Sequence, residues 1–462
     1  MKEVNETVGN RVIKIGLLGS GTVGKGVQDI IFGDGDGLAR RLGYRLEIEK
    51  IYTRLPEGKH WYAKFPTKFT NTPEDVINHP EISIIAEVLG IERPEDTRQA
   101  ASYIIKALEK GKSVVTANKA VLAGFGQEIH STALKNNTQV RFEASVAGGI
   151  PIIRSLGEGL VSDDVTALYG ILNGTCNYIL SGIRNDGKTF KEALSQAQKL
   201  GYAETNPESD INGDDTRYKI MVLLQLLYGI FVKTEDVATE GIKSLEKIDF
   251  DYASKKLGTN IKLLGSIRRS GGEVTASVSP IMIKDDHVLS RVNGALNAIL
   301  VESKYCETMC FVGKGAGAGP TANSVVSDII SIAGGAHFGT RPEPVKFNRY
   351  LDKDTLHRHY LRFVVKDRTG IVSDILTHLK KNRINVDEVL QLKHSTEEKG
   401  YFREKLGLAC DPDEILPFII TLEPCKESAV KEAMEQIKGQ DFMLMEPVVI
   451  KIVPDLPDVV GG

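Results

Sequence analysis

A chain of 462 residues is long enough for about three domains, and 41% hydrophobic residues give each of them a core. Charged residues make up 26% and nearly cancel, for a formal net charge of -3, so no global field invites nucleic acid or an anionic membrane, and a small-molecule enzyme fits better. The five cysteines, at 176, 306, 310, 410 and 425, are odd in number and form no CxxC pair, which argues against a disulfide framework and a zinc site.

The chain opens on MKEVNETVGNRVIK, which lacks the apolar centre of a signal peptide, and no apolar run reaches the roughly 18 residues of a membrane span. A soluble, cytoplasmic protein is expected. Residues 11–18, RVIKIGLL, read as a buried strand, followed at once by Gly19, Ser20, Gly21, Thr22, Val23 and Gly24 and then by a helical stretch through Val27 and Ile31. This is GxGxxG between a strand and a helix, where glycines permit close backbone approach and the helix N-terminus offers N–H groups to a pyrophosphate. The second strand, RLEIEKIYTR, ends on Arg54 with no acid at that place, and Lys59 follows in the loop. An arginine there accommodates a 2′-phosphate, so NADP is favoured over NAD. Strands at 82–88, 112–116 and 139–146 alternate with helices at 94–110 and after Ala120, the pattern of a doubly wound parallel sheet. Lys119 in TANKA sits just beyond a strand end, where ligands collect in such sheets; by position alone it is equally a helix-start lysine.

Glycine breaks FEASVAGGIPI at Gly148 and Gly149, and such turns leave carbonyl groups without ladder partners. Residues 165–172 read as a strand leading into Asn173, Gly174, Thr175 and Cys176, small residues suited to a site that binds a carboxylate or amine. The stretch 201–219, GYAETNPESDINGDDTRYK, then gathers five acids ahead of an apolar run. If Asp215 begins that helix, Asp215 and Lys219 lie four apart and meet on one face; taken alone they read as a surface ion pair beside a helix cap. A mixed α+β stretch follows, and Pro320 after the glycine-rich residues 313–319 marks another helix start.

GLLGSGTVGKG, VTANKA, FEASVAGGIP, GILNGTCNYIL, GYAETNPESDINGDDTRYK and GKGAGAGPTANSVVSDI occur in the order seen in homoserine dehydrogenases, which the chain resembles over residues 15–330. The resemblance implies reversible NAD(P)H-dependent reduction of aspartate 4-semialdehyde to homoserine, on the route to threonine, isoleucine and methionine, by a homodimer or higher homo-oligomer. It places the catalytic pair on Asp215 and Lys219, with Lys219 as acid–base group and Lys119 beside the nicotinamide. Glu204 would bind the substrate amino group, with Gly174, Thr175, Tyr202 and Asp210 completing the pocket, while Gly315 lies near the cofactor. A monovalent cation such as Na+ is implied on the main-chain oxygens of Glu143, Val146, Gly148 and Ile150. Glu192, Glu208 and Asp214 read as solvated, and Cys176 as a packing residue. Two other readings compete: another NAD(P)-dependent amino-acid dehydrogenase, disfavoured by the spacing of Glu204, Asp215 and Lys219, and an amino-acid sensor without catalysis, disfavoured by Lys119, Asp215 and Lys219 together.

Residues 341–355 read as a linker. Beyond it strands at 360–366, 385–392, 417–422 and 446–453 and helices at 370–381 and 427–437 give a βαββαβ, ferredoxin-like order. YLRFVVKDRTGIVSDILTHLKKNRINVDEVLQ resembles an ACT domain, a module that binds amino acids at subunit interfaces, which implies feedback inhibition by threonine. Thr369, the insertion 393–414 and TLEPC at Thr421 depart from its usual pattern. The expected architecture is therefore a Rossmann-type domain at 1–140 with a return segment at 315–340, an α+β substrate and dimerisation domain at 141–314, and an ACT domain at 356–455.

Overall fold

A computed structural model describes residues 11–91, 93–270, 272–336, 346–348, 356–391, 396–407 and 411–459. The first of its two sheets contains β1 (Val12–Leu18), β2 (Arg45–Tyr52), β3 (Phe69–Thr70), β4 (Ile84–Glu87), β5 (Ser113–Thr116) and β6 (Val140–Arg141). Every pair is parallel and the order is β3-β2-β1-β4-β5-β6. The connection reverses direction between β1 and β4, which opens a crevice at the strands' carboxyl ends. Ile84, Ile85 and Ala86 of β4 are all buried, because helices cover both faces of the sheet. The helix Ala318–Ala333 comes back to this domain and packs Val325 and Ile329 against Ile15, Leu17 and Val115. Its approach is close enough that a Cβ on Gly26 would lie 2.7 Å from the Cβ of Ala322.

The strand expected at 139–146 is a correction. Only Val140–Arg141 pairs with β5, and residues Glu143–Ser145 form a 3-10 turn. The physical cause is long-range: the Glu143 N–H donates to the Asp328 carboxylate (2.8 Å) instead of to a ladder partner. Ala147 and Gly148 then take left-handed φ values of 52° and 36°, turning the chain towards the helical residues Ile152–Arg154, whose free N–H groups the Glu143 carboxylate accepts.

The second sheet contains β7 (Val165–Ile171), β8 (Ala238–Thr239), β9 (Thr259–Ser270), β10 (Glu273–Lys284), β11 (Leu296–Ser303), β12 (Glu307–Lys314), β13 (Lys346–Phe347), β14 (Leu356–Lys366), β15 (Val386–Leu390), β16 (Ile415–Lys426) and β17 (Val448–Ile452). Its main order is β12-β11-β7-β9-β10-β17-β14-β16-β15. The last four strands, with helices Ile371–Lys381 and Glu427–Lys438, form the ferredoxin-like layer expected from the sequence. That layer extends the second domain's sheet through the parallel pair β10–β17. Most of the expected linker lies outside the described residues; within it Lys346–Phe347 pairs with β10. Residues 393–414 carry a further helix, Thr396–Leu406.

Across the back of β9 lies the helix Asp214–Tyr228, which buries Ile220, Leu223, Leu224 and Leu227. Each such side chain stabilises the fold by roughly 1.5–3 kcal/mol, so the helix is held firmly and its first turn is aimed, not mobile. No helix among the described residues is long and apolar enough to cross a membrane.

Candidate active site

Gly213, at φ 87°, starts the helix Asp214–Tyr228 and leaves both aspartates in its first turn. Successive helical residues point about 100° apart. Asp214 therefore turns outward to Arg217 (2.6 Å), whereas Asp215 turns inward and is buried. One helical turn on, Lys219 Nζ donates to Asp215 Oδ2 (2.8 Å) and to the carbonyl of Leu172 (2.6 Å). From the first domain, Lys119 reaches the other oxygen, with Nζ 3.0 Å from Asp215 Oδ1. Asn173, the cap of helix Gly174–Asp186, accepts from the Cys176 N–H and donates to Asp215 Oδ2 (2.8 Å) and Asp210 Oδ1 (2.7 Å).

These contacts set the charges. Burial alone would raise the Asp215 carboxyl, but Lys219 and Lys119 outweigh it and hold the group well below the usual carboxylate range. The same anion keeps the Lys119 ammonium above its ordinary value against the effect of burial, with smaller help from Asp210 and Glu204. Asp210 is raised, by burial first and by Asp215 second. Cys176 is fully buried, donates to the Asp210 carbonyl and has its thiol pushed well up, so it packs and does not attack.

All of this opens on a cavity of about 820 Å³, lined by Val23, Lys119, Gly174, Thr175, Tyr202, Asp210, Asp215, Lys219 and Gly315 among others. Beside it the turn Gly19 to Gly24 leads into helix Thr22–Gly33, whose cap Gly21 offers no side chain to its free N–H groups. Gly19 has φ 117°, and a Cβ there would come within 2.5 Å of the Val88 carbonyl. Only glycine leaves this cradle open for a pyrophosphate. Arg54 stands past the end of β2, exposed, with a guanidinium nitrogen 3.4 Å from Asp96 Oδ1, and Lys59 is partly buried in the next turn. Neither lines the cavity.

The chain matches the family model for the homoserine dehydrogenase NAD binding domain at residues 19–143 and the model for homoserine dehydrogenase at residues 151–330. A homoserine dehydrogenase of Helicobacter pylori is 40% identical over 399 residues, 84% of this chain and 91% of that protein. The chain belongs to the homoserine dehydrogenase family. A crystal structure of the Thiobacillus denitrificans homoserine dehydrogenase superposes with a TM-score of 0.80 at 32% identity, covering 96% of this chain and 99% of that one. A hyperthermophilic archaeal homoserine dehydrogenase in complex with NADPH gives 0.60 at 25% identity over 71% of this chain and 99% of that one.

On one cavity, Lys119 from the stretch that matches the NAD binding domain meets Asp215 and Lys219 from the stretch that matches the homoserine dehydrogenase model. Glu204 is exposed and outside the lining, acting on Lys119 only through its charge. Thr175 donates to the Tyr202 carbonyl (2.6 Å), tying two sides of the pocket together. Of the four residues expected around a cation, Gly148 lines the cavity and its carbonyl accepts from Ser324 (2.6 Å), while the Ile150 carbonyl accepts from the Ile152 N–H (2.8 Å). Glu192 caps its own helix and Glu208 pairs with Lys243 at the surface.

Two contributions escaped the sequence reading. Asn173 was read at its strand-to-helix junction as part of a polar site, but its bond to Asp215 was not. The other is Glu87, fully buried at the end of β4, which accepts from Thr116 Oγ1 (2.6 Å), Asn118 Nδ2 (2.7 Å) and the Leu89 N–H (2.9 Å). A lone carboxylate closing an apolar strand was the available hint, because a buried acid needs several donors.

Proposed function

We propose that the chain catalyses reversible reduction of aspartate 4-semialdehyde to homoserine, with NADPH favoured over NADH, as a step towards threonine, methionine and isoleucine in the cytoplasm. The observation that carries this reading is Asp215 held between two lysines from different domains on one cavity. A nicotinamide cofactor, held by its pyrophosphate at the Gly19 to Gly24 turn, would supply or take the hydride. Lys219 spends two of its three N–H groups on Asp215 and Leu172, which leaves one for the substrate oxygen. It donates that proton as the aldehyde becomes an alcohol and recovers it in the reverse direction. Lys119, kept cationic by Asp215, polarises the same oxygen. Asp210, Glu204, Thr175, Gly174 and Tyr202 are assigned to the amino-acid end of the substrate, where an ammonium requires an acidic partner. The carbonyls of Glu143, Val146, Gly148 and Ile150 are assigned to a monovalent cation such as Na+; those of Gly148 and Ile150 each keep a second lone pair beyond the bond they accept. Its part is to hold the turn, and no reaction step passes through it.

A homodimer is assigned to the edge of the second sheet, where β12 is the outermost strand among the described residues and Tyr305 (69%) and Val312 (51%) are exposed. The ferredoxin-like layer is assigned as an ACT domain that binds threonine. Its sheet order and the first turn, where Gly370 at φ 85° leads into helix Ile371–Lys381, support this. One set of assays tests the whole reading: oxidation of NADPH and of NADH by aspartate semialdehyde, each with and without millimolar threonine. Turnover faster with NADPH and depressed by threonine is expected. No turnover with either cofactor rejects the reaction; a preference for NADH rejects the role of Arg54; indifference to threonine rejects only the effector.

A further inference from the structure

Lys262, on β9, is 1% exposed, and no carboxylate pairs with it among the described residues. Its ammonium donates to the Val292 carbonyl (2.6 Å), to Asn177 Oδ1 (3.1 Å) and to Asn293 Oδ1 (3.3 Å), so all three N–H groups are spent on neutral oxygens. Burial, with Arg184 adding repulsion, lowers this group to about 7. A buried cation without an acid is costly, so burial of the side chain alone does not account for a lysine at this place.

Its partners do. Residues 292–296 run along the reaction cavity, and Asn293, Gly294, Ala295 and Leu296 line it. The loop is also tied to one helix and at its ends. Asn177 Nδ2 donates to the carbonyls of Val292 and Leu296 (both 3.1 Å), and Ser181 accepts from the Gly294 N–H (3.1 Å) and donates to Asn293 Oδ1 (3.4 Å). The Val292 N–H donates to the Leu289 carbonyl (3.3 Å), and Leu296 pairs with Lys314 between β11 and β12. Asn177 and Ser181 belong to helix Gly174–Asp186, whose first turn supplies Gly174 and Thr175 to the pocket. Lys262 thus grips the loop and the pocket helix at once. The fit is close, since a Cβ on Gly174 would lie 2.8 Å from the Ala295 carbonyl.

We propose that Lys262 is a positioning residue for the amino-acid substrate: it locks loop 292–296 against helix Gly174–Asp186 as one wall of the reaction cavity, and so sets substrate affinity without entering the chemistry. The proposal rests on the homoserine reading of the cavity. Lys262→Met tests it, with wild type assayed alongside for homoserine oxidation. KM for homoserine is expected to rise about tenfold or more, with kcat within about threefold and cofactor Kd within about twofold. Asn293→Ala, which removes one acceptor from the solvent side, is expected to raise KM about threefold and decides the matter if Lys262→Met does not fold. A homoserine KM within twofold of wild type in the folded variant overturns the proposal. So does a parallel decline of cofactor affinity, kcat and melting temperature, which marks a merely structural lysine. Absence of homoserine turnover in the wild type would instead remove the reading on which the proposal stands.

Discussion

Two buried acid–base clusters face different parts of the molecule, and they are built from similar groups. In one, Asp215 meets Lys219, Lys119 and Asn173 at 2.8–3.0 Å. In the other, Asp249 of helix Lys247–Leu257 meets Tyr360 (2.8 Å) and Arg362 (2.9 Å) of β14, joining the second domain to the ferredoxin-like layer. The first opens on a cavity; the second is sealed, with Asp249 at 0% and Arg362 at 1% exposure. Their carboxyls shift in opposite directions. Two cations overcome the burial of Asp215 and lower it, whereas burial of Asp249 outweighs the single Arg362 and raises it. Buried charge by itself therefore does not mark a reaction site. What sets the Asp215 cluster apart is surplus: two cations on one acid, and a Lys219 N–H group beyond its two bonds.

The sharpest way to break this comparison is to neutralise each cluster in turn. Asp215→Asn keeps the shape but frees both lysines from their shared anion, and kcat for homoserine oxidation is expected to drop about 10³-fold, or about 4 kcal/mol, with little change in melting temperature. Arg362→Met should do the reverse, costing about 3 kcal/mol in denaturant unfolding while kcat per folded molecule stays near wild type. A loss of turnover in Arg362→Met would mean that the sealed cluster is not separate from catalysis. The smallest effect at neutral pH comes from His359, which precedes Tyr360 on β14, is fully buried with its ring 3.6 Å from Cys425 Sγ, and is lowered to about 4 by burial and then by Lys451. The folded protein keeps it neutral while the unfolded chain protonates near 6.5, so its stabilisation is fully present above about 6.5 and is lost as pH falls towards 4, by up to about 3 kcal/mol. His359→Leu should flatten that part of the stability-against-pH curve and leave the pH–rate profile unchanged.

Local rules made much of the site legible. The spacing of Asp215 and Lys219, the breaker Gly213 and the apolar run behind them were enough to put the pair on one helical face. GxGxxG between strand and helix was equally local, as was the alternation behind the first sheet and the last four strands, whereas β9 to β12 were read only as a mixed α+β stretch. The arrival of Lys119 at Asp215 was not, because the two come from different domains and only tertiary packing joins them. Residues 139–146 show the same limit from the other side: their strand-like pattern gives way to the distant Asp328 carboxylate. Continuity of the second sheet into the last domain rests on the short pair of Ile281 and Met282 with Lys451 and Ile452, which no local pattern announces. The helix Thr396–Leu406 is charged nearly all round, so periodicity gave it no signature.

The most direct test is steady-state oxidation of homoserine by Lys219→Met beside wild type, at saturating cofactor and with cofactor binding measured on the same samples. If Lys219 moves the proton and Asp215 and Lys119 only hold charge around it, kcat falls about 10³-fold while cofactor Kd stays within about twofold. Turnover within about tenfold of wild type would contradict the assignment of this cluster as the seat of the reaction.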